Sequence, residues 1–250
     1  MTWSPPLSFE EKLKGLLVPP GLYIRSHYKK EMRKGERELR LVPFLARRSK
    51  ISLDIGANKG VYSYAMLPHS AGVHAFEPNP KSLDVLRSWG NDRLTIHDIA
   101  LSDKAGEATL FIPRGGKSGY SNQGGSMQKL HLDREHGEVK IKVARLDDMN
   151  FTNIGFVKID VEGFEQQVLE GARETLKRER PNLLVEIEEK HTKTPIEDEI
   201  ARVCAYGYDC FVLQNGTLAP FKSMDAEKNH RNPATRDDYI FNFIFLPSGA

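Results

Sequence analysis

From about residue 50 onward, short runs rich in Val, Ile and Phe alternate with stretches of helical periodicity, and this alternation leaves few folds open. Strands separated by crossover helices build a largely parallel sheet with helices on both faces. Strands are read at 51–56 (ISLDIG), 72–78 (GVHAFEP), 94–101 (LTIHDIAL), 156–162 (FVKIDVE), 183–189 (LLVEIEE), 209–214 (DCFVLQ) and 240–247 (IFNFIFLP). Helices are read at 60–68, 80–89, 164–178 and 195–206. Pro80 after Asn79 suits helix entry, and Gly207 suits a left-handed cap. After the third strand the rhythm lapses: 106–112 and 139–146 alternate like an antiparallel pair. The long, polar, glycine-rich connection between them reads as a lid or a flexible excursion.

At 250 residues and 39% hydrophobic content, the chain can bury one sizeable core. The expected organisation is a helical extension over 1–49 and an α/β domain over 50–250. Residues 25–50 are strongly basic, with Leu39, Leu41, Val42, Phe44 and Leu45 as their apolar content. The preferred reading is a solvated extension that packs those residues on the domain, ahead of a basic helix that meets an acidic glycan, membrane or nucleic acid. With 36 basic against 34 acidic residues, net charge makes no case for a nucleic-acid partner. Cys204 and Cys210 suggest neither a disulfide framework nor a zinc site. No secretory leader pattern and no run near the roughly 20 apolar residues of a membrane span is visible, so a cytoplasmic protein is expected.

The turn ISLDIGANKG brackets Asn58 and Lys59 with Gly56 and Gly60, one residue after the strand that carries Asp54. A glycine turn between a first strand and its helix lets backbone amides approach an extended ligand. The spacing lacks G-x-G-x-x-G, because Asn58 replaces the middle glycine and Val61 follows Gly60. A diphosphate would lose its close approach; S-adenosylmethionine is the common alternative. Glu77, roughly 20 residues on, stands where a carboxylate can accept from both ribose hydroxyls. Asp98, Ile99 and Ala100 fall at the depth of an adenine pocket, with Asp98 as partner for the exocyclic amine and Ile99 flanking the ring.

The runs LDIGANKGVYS, AFEPNP, IALSD and FVKIDVEGFEQQVLEGA, in that order over residues 50–190, resemble the FkbM family of S-adenosylmethionine-dependent methyltransferases. The resemblance implies a class I methyltransferase (Rossmann-like) fold: a mostly parallel seven-stranded sheet with an antiparallel last strand. It also implies methyl transfer to a hydroxyl, often on a sugar or a polyketide-type product. Asp98 stands where the family more often has Asn, and Arg145 where it more often has Thr.

Methyl transfer from a sulfonium needs in-line alignment and a place for the hydroxyl proton. Lys158, Asp160 and Glu162 share one face by strand alternation, a charged row costly to bury without purpose. Asp160 is the expected base or acceptor-hydroxyl ligand, Glu162 orients loop or substrate, and Lys158 tunes their charge. Glu186, Glu188 and His191 lie at or after the next strand end, and His191, able to titrate near neutrality, is the rival base. Asn122 and Ser126 in the long loop, with Glu188, are acceptor-binding candidates, and 222–239 a further wall. Asp160 and Glu162 could hold Mg²⁺, but a metal is not favoured because Lys158 already supplies positive charge. Two other classes stay open: a cofactor-binding or partner-binding module without turnover, and a nicotinamide-dependent dehydrogenase, which the broken glycine pattern disfavours. A methyltransferase of base amines would carry N-P-P-Y or D-P-P-Y where KIDVEG stands.

Overall fold

A computed structural model describes residues 5–6, 17–115, 119–120, 125–127 and 135–249. The main sheet has eight strands in the order β11-β10-β12-β9-β8-β1-β2-β3. Its parallel part comprises β1 (Ile51–Ile55), β2 (Gly72–Phe76), β3 (Leu94–His97), β8 (Ile154–Ile159) and β9 (Asn182–Glu186). The last strand, β12 (Asn242–Pro247), inserts antiparallel between β9 and β10 (Tyr208–Gln214), as expected for a class I methyltransferase fold. The eighth strand was not foreseen: β11 (Thr217–Pro220) folds back on β10 through Asn215 and Gly216, both left-handed. Asn-Gly is a strong two-residue hairpin signal, and here it leads from β10 into the edge strand.

Helices cross over between these strands. α1 (Pro20–Lys34) and α2 (Val42–Leu45) precede β1; α3 (Val61–Met66) and α4 (Pro80–Ser88) flank β2. α5 (Glu165–Gly171) and α6 (Arg173–Glu179) link β8 to β9, and α7 (Glu189–Thr192) and α8 (Ile196–Cys204) lead to β10. The single helix expected over 164–178 breaks at Ala172, beside Gly171, whose added Cβ would lie 1.9 Å from the Ser102 carbonyl oxygen. Asn79 caps α4 by accepting from the Lys81 amide at 3.1 Å, and Gly207 takes its left-handed conformation at φ +91°.

β8 is buried at every position, as a central parallel strand covered on both faces must be. One apolar cluster, including Val157, Ile159, Leu169 and Phe245, fills one side of the sheet. On the other side Ile24, Leu39, Val42 and Leu45 pack with Tyr62, Met66 and Trp89. The basic N-terminal segment therefore contributes core, except for Phe44, which is 81% exposed.

The third expected strand divides. β3 ends at His97, and β4 (Ala100–Leu101) leaves for a second sheet in the order β4-β7-β5-β6. There β5 (Gly106–Gly115) and β7 (His136–Ala144) form the antiparallel pair, and β6 is Gly119–Tyr120. β7 alternates buried and exposed residues, so Val139, Ile141 and Val143 face Leu110 and Ile112 in a small core of their own.

The turn after β1 depends on one contact. Gly56 has φ +80°, and a Cβ there would lie 1.8 Å from the Asp160 carbonyl oxygen. Gly216 has φ +75° with nothing within 4 Å. Gly56→Ala is expected to cost at least ~3 kcal/mol through clash plus left-handed strain, and Gly216→Ala only ~1 kcal/mol through strain alone. Urea unfolding of the two variants checks the difference.

Candidate active site

A cavity of about 760 Å³ opens at the carboxyl ends of β1, β2, β8 and β9, where ligands of open α/β sheets bind. Residues 54–58, 76–79 and 99–101 form one side, and Lys158, 160–162 and Glu186 lie between that side and a second one. The second side comes from both ends of the chain, residues 35–38 and 236–241. Arg37 and Asp237 join these segments by an ion pair, and Arg37 also donates to the Asp237 carbonyl at 3.2 Å.

The glycine turn and the acid of β2 are one assembly. The amides of Gly56 and Ala57 donate to the Phe76 carbonyl at 2.9 and 3.0 Å. The Asn58 amide donates to Glu77 Oε2 at 2.6 Å and the Asn79 amide to Oε1 at 2.7 Å. Asn58 holds φ +50°, and its side-chain oxygen accepts from Ser82. Each carboxylate oxygen of Glu77 thus keeps a lone pair beyond its amide bond, and the residue is on the cavity wall. Burial pushes Glu77 up to about 7 despite the two amides that favour its charged form. Asp54, also buried and on the wall, accepts from Ser63 Oγ at 2.5 Å and is pushed up to about 6, chiefly by burial. Gly60 is not on the wall; its missing Cβ makes room for Leu86 and Trp89, so its bareness serves packing of α3 against α4.

The adenine expectation divides in the same way. Ile99 and Ala100 are on the wall. Asp98 is not: it is exposed and pairs with Arg87 at 3.2 Å, because the backbone turns outward between β3 and β4.

Lys158 is 1% exposed and carries its ammonium 3.6 Å from Asp160 Oδ2 and 5.1 Å from the centre of the Tyr62 ring. Burial disfavours its charge, but Asp160, Glu186, Glu36 and Asp54 outweigh burial and raise its pKa above the ordinary lysine value. The single strand face expected for Lys158, Asp160 and Glu162 is corrected: β8 ends at Ile159, and Glu162 turns left-handed at φ +51°. All three still reach the cavity. Glu165 sets that turn by accepting the amides of Val161 and Gly163 at 3.3 and 3.0 Å.

His191, Glu188 and Ser126 are off the wall. His191 Nδ1 lies 3.5 Å from Glu162 and 3.8 Å from Glu188, so it meets the cavity through Glu162. Glu188 is held by Tyr239 and by Lys190 at 2.5 Å. Ser126 donates to the Glu162 carbonyl at 2.8 Å, and its neighbours Gly125 and Met127 line the cavity. Asn122 lies outside the described residues. Among the described residues no group of three or more His, Cys, Asp or Glu is arranged to hold a metal ion, and no helix is long and apolar enough to cross a membrane. Sequence reasoning missed Glu36, Tyr62 and Glu165. The first lies in a segment read only for charge, and the other two lie in helices read only for periodicity.

Strand order, antiparallel final strand and a cavity at the carboxyl strand ends define a class I methyltransferase fold. Residues 54–210 match the methyltransferase FkbM domain, and the chain belongs to that family. It is 30% identical over 156 residues to the 2-O-methyltransferase NoeI of Sinorhizobium fredii (strain NBRC 101917 / NGR234), covering 56% of this chain and 64% of that protein. It is 32% identical over 155 residues to the 31-O-demethyl-FK506 methyltransferase FkbM of Streptomyces tacrolimicus, covering 50% and 60%. The chain thus matches less than two thirds of either relative's length. The crystal structure of methyltransferase FkbM from Methylobacillus flagellatus KT superposes with a TM-score of 0.52 at 18% identity, over 80% of this chain and 44% of that one.

Glu165 makes the turn after β8 sensitive to pH. Its Oε2 is buried without a hydrogen-bond partner among the described residues, and burial pushes its pKa up to about 7 from the usual 4.5. The folded chain therefore holds this proton more tightly than the unfolded chain. The stabilisation is full below the unfolded value and is lost as pH rises through about 7. Glu165→Gln is expected to remove on the order of 2 kcal/mol from the decline in stability between pH 5 and pH 8. Melting curves of both proteins across that range check it.

Proposed function

We propose that this chain transfers a methyl group from S-adenosylmethionine to a hydroxyl of a sugar, glycan or related hydroxylated metabolite. The observation that carries the reading is Glu77, bound by the turn amides of Asn58 and Asn79 on the wall of the cavity that also holds Asp160. Those amides fix the carboxylate in place and leave acceptor capacity for two ribose hydroxyls. Gly56, Asn58 and Asp54 would hold the amino-acid end, and Ile99 and Ala100 the flat faces of the base. Asp98 has no part in this assignment, and Gly60 acts through packing. When bound, S-adenosylmethionine supplies an electrophilic methyl group on a sulfonium. The relatives NoeI and FkbM, named as a 2-O-methyltransferase and a 31-O-demethyl-FK506 methyltransferase, support the choice of an O-methyl acceptor.

The chain's own residues then position the acceptor and take its proton. Asp160, half-buried and charge-paired with Lys158, is the base of this reading. The buried ammonium keeps a negative charge affordable there, and it favours the alkoxide that forms as the proton leaves. His191, linked to the cavity through Glu162, is the next proton acceptor in line rather than the first. The segment around Gly125–Met127 closes part of the wall and suits a lid over the acceptor.

Two measurements test this. In titration calorimetry the wild type is expected to bind S-adenosylhomocysteine, and Glu77→Ala to bind it at least ~30-fold more weakly. With radiolabelled S-adenosylmethionine and a cell-envelope extract, Asp160→Asn is expected to lower turnover ~10²- to 10⁴-fold while cofactor affinity stays within a few-fold. Near-normal turnover of Asp160→Asn with abolition in His191→Ala would make His191 the base.

A further inference from the structure

Two acidic side chains in the cavity are left short of well-placed donors by the described residues, and neither lies beside the glycine turn. Glu36 opens the 3-10 turn Arg37–Leu41 in the N-terminal segment, and Glu186 ends β9. Both residues are half-buried and line the cavity. No described residue makes a hydrogen bond or ion pair of good geometry with either carboxylate. One oxygen of Glu36 is buried beside the Tyr62 hydroxyl, the protein donor nearest to it, at a geometry short of a good hydrogen bond. Tyr62 itself is only 7% exposed. Elsewhere in the site, carboxylates are provided for: Glu77 by two amides, Asp54 by Ser63, Asp160 by Lys158.

A carboxylate is an acceptor-only group, and leaving one half-buried without a donor costs free energy. Apart from the Tyr62 hydroxyl beside Glu36, the donors that would satisfy these oxygens come from solvent or from a bound molecule. Burial and the neighbouring Asp160 raise the pKa of Glu36 and Glu186, and Lys158 opposes this only in part, so negative charge is already costly at this end of the cavity. An anionic acceptor would meet like charge in a low-dielectric cavity, whereas hydroxyl donors would satisfy the idle oxygens.

We propose that Glu36 and Glu186 are acceptor-binding, specificity-determining residues, whose carboxylates take hydrogen bonds from two hydroxyls of an uncharged polyol and turn away anionic acceptors. This rests on the methyltransferase reading above and narrows its substrate class: neutral glycosides fit, while uronates, phosphorylated sugars and sugar nucleotides do not.

The test uses the full chain loaded with S-adenosylhomocysteine. Methyl glycosides of the common neutral hexoses and 6-deoxyhexoses, and of the matching uronic acids, are titrated in by calorimetry. At least one neutral glycoside is expected to bind, at least ~10-fold more tightly than its uronate. Glu36→Gln and Glu186→Gln, which keep shape but remove charge, are each expected to weaken that glycoside ~10-fold or more. They should also narrow its margin over the uronate and leave S-adenosylhomocysteine affinity within about two-fold. Tyr62→Phe, tested in parallel, is expected to weaken the same glycoside less than Glu36→Gln does. The margin over the uronate is a readout that simple loss of packing would not move. Binding of uronates equal to or tighter than that of neutral glycosides overturns the proposal, as does binding of no neutral glycoside. A larger loss of S-adenosylhomocysteine than of glycoside in either Gln variant also overturns it, because the carboxylates then serve the donor. Failure of the wild type to bind S-adenosylhomocysteine at all is a different result, and it overturns the methyltransferase reading.

Discussion

The Lys158 ammonium, buried at the end of the central strand, is the interaction on which the site depends. Around it stand Asp160, Glu186, Glu36 and Asp54, drawn from the turn after β8, from β9, from the N-terminal segment and from β1. Without a cation these carboxylates would repel one another in a dry interior. With it, their negative charge is held in one place and the strand ends can converge. The ammonium also lies against the Tyr62 ring, so α3 and β8 share a cation–π contact as well as a sheet face. Replacing only one of these partners would leave the remaining charges uncompensated, which is why the whole group reads as one unit.

A second constraint fixes the opposite side of the cavity. The turn after β1 and the end of β8 approach so closely that only a glycine fits at 56. The Asn58 amide of this tight turn then donates to Glu77, which the Asn79 amide holds from the other oxygen. Local backbone geometry, sheet packing and the placement of a buried acid thus have a common origin. Burial raises the pKa of Asp54, Glu77 and Glu165. The acids at these turns therefore take up a proton at higher pH than exposed carboxylates do.

Much of this was legible in residue order. Period-two and helical patterns located the parallel strands and their crossovers, and the spacing of Gly56 and Glu77 singled out two residues that the fold brings onto one cavity wall. Three features were not legible, each for a physical reason. Asp98 is followed by a change of backbone direction, which single-strand alternation does not encode, so its side chain points away from the cavity and meets Arg87. Gly60 is bare because of Trp89, a contact between residues 29 positions apart that no local pattern announces. Glu36 sits among many charges in a basic segment, and only the folded chain separates it from its solvated neighbours. The hairpin to β11 was marked by Asn215 and Gly216, a signal present in the sequence but not used.

The wall opposite the glycine turn is made by residues 35–38 and 236–241, both outside the stretch 54–210 that matches the FkbM domain. Arg37 and Asp237 lock these segments together across 200 positions. Exchange of one of these segments between relatives would strand a charge and misalign its mate, whereas exchange of both together would keep this wall of the cavity intact.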